Sequence, residues 1–204
     1  MSPRMRNQLW RTQNSLADPH LAAKLVALSR LGARDLVYDL GAGSGALTAA
    51  LARRSSRVIA IERDPALVRH LRRRFHDVPS VVVREGDILA RRFPQSDYVV
   101  VANPPFDITA DLVRKLTEAE TPPRDAYLVL QREAAQRFAG RPQATLAALL
   151  IAPWFSVRVL HAFQRRDTPG IWEEHAVRVV ARVGVREGRY RETNDVPHGQ
   201  RITC

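Results

Sequence analysis

VVVANPPFDIT, residues Val99 to Thr109, is an apolar run rich in β-branched residues that stops abruptly at Asn103-Pro104-Pro105-Phe106. Such a run reads as a buried strand, and it ends at the first proline because proline has no N–H to give to a sheet ladder. The tetrad then sits at the strand's carboxyl end. In an open α/β sheet that edge is the ligand crevice, at the point where the strand order reverses. Asn103 has a carbonyl acceptor and an amide donor, the prolines hold a rigid backbone with carbonyls available, and Phe106 has a π-face. Together they suit a planar amide or amine held by its edge and stacked on its face.

Working outward, strands and helices alternate. Asp35–Leu40 (DLVYDL) reads as a strand running into Gly41-Ala42-Gly43-Ser44-Gly45, with a helix over Ala46–Arg53. Arg57–Glu62 (RVIAIE) is a second strand, and Asp64-Pro65 opens a helix with the apolar face Leu67, Val68, Leu71 and Phe75. Ser80–Arg84 is the third strand, ending near Gly86-Asp87, and Tyr98–Ala102 is the fourth, with a helix over Asp107–Leu116 behind it. Ala126–Leu130 is the fifth, followed by helices over Arg132–Phe138 and Ala144–Ile151. Ser156–Phe163 and His175–Val183 are two late strands suited to antiparallel pairing. Near the N-terminus, Leu21, Leu25, Val26, Leu28 and Leu31 recur at helical spacing over Ala17–Leu31, with Asp18-Pro19 as cap and first-turn proline and Gly32 as the stop. This alternation predicts an α/β fold with a doubly wound, mostly parallel sheet. The expected division is a basic segment over 1–16, the main domain over 17–185 and a polar, aperiodic tail over 186–204.

Composition narrows the partner. Of 204 residues 45% are hydrophobic, which suits one domain with a real core. Thirty-two Lys+Arg against 21 Asp+Glu give a formal charge of +11, which points to a polyanion. Lys24 and Lys115 are the only lysines; a GC-rich genome also produces that habit, so the net charge carries the inference. Cys204 is the sole cysteine, so neither a disulfide framework nor a cysteine metal site is expected, and His161, His175 and His198 lack metal-ligand spacing. No apolar leader core and no run of the ~18 apolar residues that span a bilayer is present, so the expectation is a cytoplasmic protein without a membrane partner, in the reducing compartment that the cysteine count suggests. A monomer is expected.

Asp39-Leu-Gly-Ala-Gly-Ser-Gly45 places three glycines where the chain turns from strand to helix, letting backbone approach a ligand and aiming N–H groups at it. Glu62 ends the next strand, where a carboxylate accepts ribose hydroxyls or merely caps a surface strand. These features suit any nucleoside cofactor. The spacing G-x-G-x-G with Asp39 ahead of it, in place of the dinucleotide pattern G-x-G-x-x-G, resembles the S-adenosylmethionine site of class I methyltransferases. There the acid lies near the methionine amino group. Asp87, in Gly86-Asp87-Ile88-Leu89, is either a turn residue or, by the same resemblance, an acceptor for the adenine amine.

Asn103-Pro104-Pro105-Phe106 is similar to the motif of methyltransferases acting on planar nitrogens: adenine amines in nucleic acids and glutamine amides in proteins. Thr12-Gln13-Asn14-Ser15-Leu16 resembles the S-Q-N-F-L segment of the rRNA adenine N6-methyltransferases, and Leu130-Gln131-Arg132-Glu133-Ala134 resembles their Q-[RK]-E-[VA] turn. The double proline with Phe resembles the erythromycin-resistance (Erm) 23S rRNA branch more than the housekeeping small-subunit branch with its Asn-Leu-Pro-Tyr. The resemblance implies a class I, Rossmann-like seven-stranded sheet binding S-adenosylmethionine through Gln13, Asn14, Leu16, Asp39, Gly41, Gly43, Gly45, Glu62, Arg63, Asp87, Ile88 and Asn103. It further implies methylation of an adenine N6 in 23S rRNA, with resistance to macrolide, lincosamide and streptogramin B antibiotics. The catalytic residues would be Asn103 and the Pro104 carbonyl, accepting from the amine, and Phe106, stacking on the base. The alternatives are 16S rRNA, DNA adenine or protein glutamine as substrate, and a non-catalytic nucleic-acid-binding relative. Three features depart from the family: Ser15 stands for Phe, the F-x-P-x-P-x-V segment reads Arg166-Asp-Thr-Pro-Gly-Ile-Trp172, and the C-terminal helical domain is expected to be largely absent. RNA affinity would then rest on the basic catalytic domain, with Arg4, Arg6, Arg11 and Arg72-Arg73-Arg74 as candidates; the triple arginine reads equally as a solvated helix face.

Overall fold

The computed structural model of the chain describes residues 19–163 and 178–185. Helix α1 covers Pro19–Ala27, β1 Leu36–Leu40, α2 Ala46–Ala52, β2 Arg57–Glu62, α3 Pro65–Arg74, β3 Val81–Glu85 and β4 Val99–Ala102. A 3₁₀ turn at Phe106–Ile108 leads into α4 at Thr109–Thr117. Then come β5 (Asp125–Gln131), α5 (Arg132–Phe138), α6 (Leu146–Ile151), β6 (Phe155–Ala162) and β7 (Arg178–Val185). The seven strands form one sheet in the order β3-β2-β1-β4-β5-β7-β6. β1 to β5 pair in parallel, whereas β7 runs antiparallel to both β5 and β6. The doubly wound, mostly parallel sheet and the antiparallel late pair are both as expected.

β4 shows why the deciding stretch has no polar face. Val99 and Val101 pack with Leu25 of α1 and Leu47 and Leu51 of α2, while Val100 and Ala102 pack with Leu112 and Leu116 of α4. A strand covered by helices on both sides reads as continuous apolar sequence instead of alternation. α4 in turn buries Thr109, Leu112, Val113 and Leu116, one stripe at helical spacing. At the start of α3 the Asp64 side chain accepts from Ala66 N at 2.7 Å and Leu67 N at 3.3 Å, with Pro65 in the first turn, as the sequence foretold.

Most strand and helix ends shift from expectation by one to three residues, and three differences have a visible cause. α1 stops at Ala27, four residues before Leu31, because both the N–H and the hydroxyl of Ser29 turn back to the Val26 carbonyl, at 3.1 and 2.5 Å. Leu31 is nonetheless buried. Gly32 is no left-handed stop: its N–H donates to Asp35 Oδ2 at 2.8 Å, and it is absent from the positive-φ glycines. The helix read from Asp107 begins as a 3₁₀ turn, closed by Ile108 N–H to the Pro105 carbonyl at 3.3 Å. The proposed bounds at 16 and 186, the segment Thr12–Leu16, the altered segment Arg166–Trp172 and the tail lie outside the described residues. Among the described residues no helix is long and apolar enough to cross a membrane. α6 turns Leu146, Leu149 and Leu150 outward and buries only Ala148.

Candidate active site

Strand order reverses between β1 and β4, and the functional side chains gather at the carboxyl ends of those strands. Leu40 of β1 stands beside Ile61 of β2 and Ala102 of β4. Asp39, Glu62 and Asn103 therefore reach one edge. A cavity of about 410 Å³ opens there, within the range of small-molecule sites. Its wall includes Asp39, Gly41, Gly43, Glu62, Arg63, Asp87, Ile88 and Asn103, eight residues singled out from the sequence.

Asp39 is 1% exposed. Its Oδ2 accepts from the Thr48 hydroxyl at 2.5 Å, while its buried Oδ1 has no hydrogen-bond partner among the described residues. Burial pushes the carboxyl from 3.8 up to about 7; Thr48 opposes the rise and the Glu62 charge adds to it. A buried acceptor left open beside a cavity suits a cationic donor, since an uncompensated polar atom costs free energy. That observation fits the amino group of S-adenosylmethionine.

Glu62 has more structural work than its sequence position revealed. Oε2 accepts from Gly43 N at 2.9 Å, and Oε1 accepts from Arg63 N at 2.8 Å and Asp64 N at 2.9 Å. A carboxylate has about four lone-pair sites, so three are engaged and one remains for a ribose hydroxyl. The expected capture of both hydroxyls therefore requires a rearrangement. With the Gly43 N–H on Glu62, most of the turn's N–H groups are committed: Gly41 and Ala42 donate to the Ile61 carbonyl at 2.9 and 3.0 Å, and Gly45 to the Ala42 carbonyl at 2.8 Å. The cradle thus contributes space more than donors. A Cβ on Gly41 would meet nothing within 4 Å, whereas one on Gly45 would lie 2.7 Å from Leu71 Cδ2 and 2.8 Å from Phe75 Cε2. Gly45 accordingly serves helix packing and is not in the cavity wall.

Asp87 follows β3 and is exposed; its Oδ1 accepts from Leu89 N at 2.8 Å, so it shapes the turn while lining the cavity. Asn103 is 8% exposed and lines the wall, but Pro104 and the half-buried Phe106 do not. The wall takes Pro105, Asp107 and Ile108 instead. Pro105's carbonyl accepts from Ile108 N at 3.3 Å and Thr109 Oγ1 at 3.4 Å, which fixes the turn that carries Phe106. Sequence reasoning missed Ala42, Ser44, Leu47, Leu67 and Gly86 as well; Leu47 and Leu67 stand on helices, where apolar spacing signals core and not ligand. Gln13, Asn14 and Leu16 lie outside the described residues. Of the triple arginine, Arg74 is tied to the site's turn: Nη1 donates to the Ser44 carbonyl at 2.6 Å and the guanidinium lies 5.5 Å from the Phe75 ring centroid.

The family model for ribosomal RNA adenine dimethylase matches residues 5–198. The chain belongs to that family. It is a family of S-adenosylmethionine-dependent methyltransferases with the class I, Rossmann-like fold. Among curated relatives, the probable ribosomal RNA small subunit methyltransferase A of Methanosarcina barkeri is 38% identical over 130 residues, 64% of this chain and 44% of the relative. The dimethyladenosine transferase of Candida glabrata is 32% identical over 143 residues, 69% of this chain and 45% of the relative. Among solved structures, the 23S rRNA methyltransferase ErmE is 27% identical with a TM-score of 0.76, covering 85% of this chain and 70% of that one. The chain spans about half the length of the curated relatives it matches.

Proposed function

We propose that the chain is an S-adenosylmethionine-dependent methyltransferase acting on the N6 amine of an adenine in rRNA, with small-subunit rRNA as the favoured substrate. The observation that carries the chemistry is the juxtaposition of Asp39, Glu62 and Asn103 on one cavity at the switch point of the sheet. The small-subunit reading rests on the printed names of curated relatives such as the Methanosarcina barkeri protein, which favour it over the large-subunit branch expected from the double proline. A second reading, 23S rRNA with antibiotic resistance, is favoured by Asn103-Pro104-Pro105-Phe106 and by the ErmE likeness.

When bound, S-adenosylmethionine supplies a methyl already activated on a sulfonium. Asp39 Oδ1 would receive the cofactor's amino group, Glu62 a ribose hydroxyl, and Asp87 with Ile88 the adenine. Leu47, Leu67 and Ile108 give the cavity apolar walls that displace water. The target adenine would leave its stack, lie on Phe106 and donate its amine to Asn103 and the Pro104 carbonyl. Those acceptors orient the nitrogen lone pair and disperse the positive charge that develops on it.

Single-turnover methyl transfer to protein-free rRNA tests the assignment. Asn103→Ala should lose most activity, because orientation is lost. Phe106→Ala should lose less, since stacking on one aromatic is worth on the order of 1–3 kcal/mol. Near-normal turnover in Asn103→Ala would sink the site assignment.

A further inference from the structure

The two oxygens of Asp39 have different surroundings. Oδ2 is engaged by Thr48, whose side chain is fully buried in α2; Oδ1 lies buried with no hydrogen-bond partner among the described residues, and Asp39 is part of the cavity wall. Thr48 is not in that wall. A helical threonine commonly bonds the carbonyl four residues back. Here that carbonyl, Ser44's, accepts from Arg74 Nη1, and the Thr48 hydroxyl goes to Asp39.

The groups around Asp39 leave Thr48 with a defined task. Burial favours the neutral acid, and so does the Glu62 carboxylate at the end of the neighbouring β2. On the other side, β4 contributes the uncharged Asn103. Arg63, Asp87 and Asp107 are the remaining charged residues of the wall. Against burial and Glu62, the hydrogen bonds from Thr48 favour the carboxylate. We propose that Thr48 is a positioning residue: its hydroxyl holds Oδ2 of Asp39 so that Oδ1 meets the cationic amino group of the cofactor, and it favours the charged carboxylate over the neutral acid. This rests on the reading of the cavity as the S-adenosylmethionine site.

The test is calorimetric binding to the purified full chain between pH 6.5 and 8.5, with S-adenosylmethionine and with 5′-methylthioadenosine, which has the same nucleoside but no amino-acid half. At pH 7 Thr48→Val should bind S-adenosylmethionine about tenfold more weakly, the size of one lost hydrogen bond to a charge. The deficit should narrow as pH rises and Asp39 ionises in the variant. 5′-Methylthioadenosine should bind wild type and variant alike, Thr48→Ser should restore wild-type behaviour, and Thr48→Cys, a weaker donor, should fall between. Comparing variants at each pH cancels the ligand's own titration. Equal affinity of Thr48→Val and wild type for S-adenosylmethionine at every pH would overturn the proposal. So would an equal loss for both ligands, or a deficit independent of pH, since either marks a merely structural role. Failure of the wild-type chain to bind S-adenosylmethionine would overturn the site reading itself, and this proposal with it.

Discussion

Glu62 Oε2 accepts the Gly43 N–H at 2.9 Å, so the last residue of β2 holds the turn that follows β1. The same carboxylate holds the first N–H groups of the segment leading into α3. Removing it frees three backbone donors at a residue only 5% exposed. Glu62→Ala should therefore destabilise the ligand-free protein by on the order of 2 kcal/mol. For a chain of this size that is a fall in Tm of roughly 4–8 °C. Thermal unfolding without ligand checks it; an unchanged Tm would mean that Glu62 acts on ligand alone.

Asp39 makes stability depend on pH in a direction opposite to that of a salt-bridged carboxylate. Its folded pKa is raised from 3.8 to about 7, so between those values the folded chain holds a proton that the unfolded chain has released. Its contribution is fully present below about pH 4 and is lost as pH rises through about 7. Asp39→Asn should thus raise the Tm of the ligand-free protein by a few degrees at pH 8 and leave it nearly unchanged at pH 4, while abolishing tight S-adenosylmethionine binding. Unfolding curves at the two pH values decide this; a gain that is equal at both would contradict the assignment.

Gly41 and Gly45 share a left-handed backbone, φ 80° and 82°, but differ in what surrounds them. Gly45→Ala adds a clash with Leu71 and Phe75 to the backbone strain, and should cost about 3 kcal/mol or more, read as a lower urea midpoint at unchanged slope. Gly41→Ala has strain alone, about 1–2 kcal/mol, yet Gly41 lines the cavity and a methyl there should weaken cofactor binding more than Gly45→Ala does in protein that remains folded.

Leu116 and Leu149 separate core from surface leucine. Leu116 is 1% exposed beneath the sheet and Leu149 is 58% exposed on α6. Leu116→Ala should cost about 2–5 kcal/mol and Leu149→Gln about 0.5 kcal/mol or less, measured by equilibrium denaturation.

Which parts of this were legible in the sequence follows from what sequence patterns encode. Arg57–Glu62 was read to the residue, because a β-branched run bounded by Ser55-Ser56 and Asp64-Pro65 leaves no freedom in its ends. α1 was read too long, because periodicity reports burial: Leu31 is buried, but in a turn beyond the helix that Ser29 closes. At the site, charged and glycine residues at strand ends were found, since little else explains them there. Leu47, Leu67 and Ile108 were not, because an apolar wall of a cavity has the same sequence pattern as core. The triple backbone duty of Glu62 and the Thr48 bond to Asp39 depend on side-chain geometry across elements, for which no spacing rule exists.

The most direct measurement of the central claim is methyl transfer from labelled S-adenosylmethionine to protein-free 16S and 23S rRNA in parallel, with the labelled nucleotide located by primer extension and the Asn103→Ala variant alongside. The account predicts label on an adenine N6 of the 16S rRNA, lost with Asn103→Ala. Label confined to 23S rRNA would put the large-subunit reading in its place. Label in neither RNA, from protein that binds S-adenosylmethionine, would contradict the claim that this chain methylates rRNA.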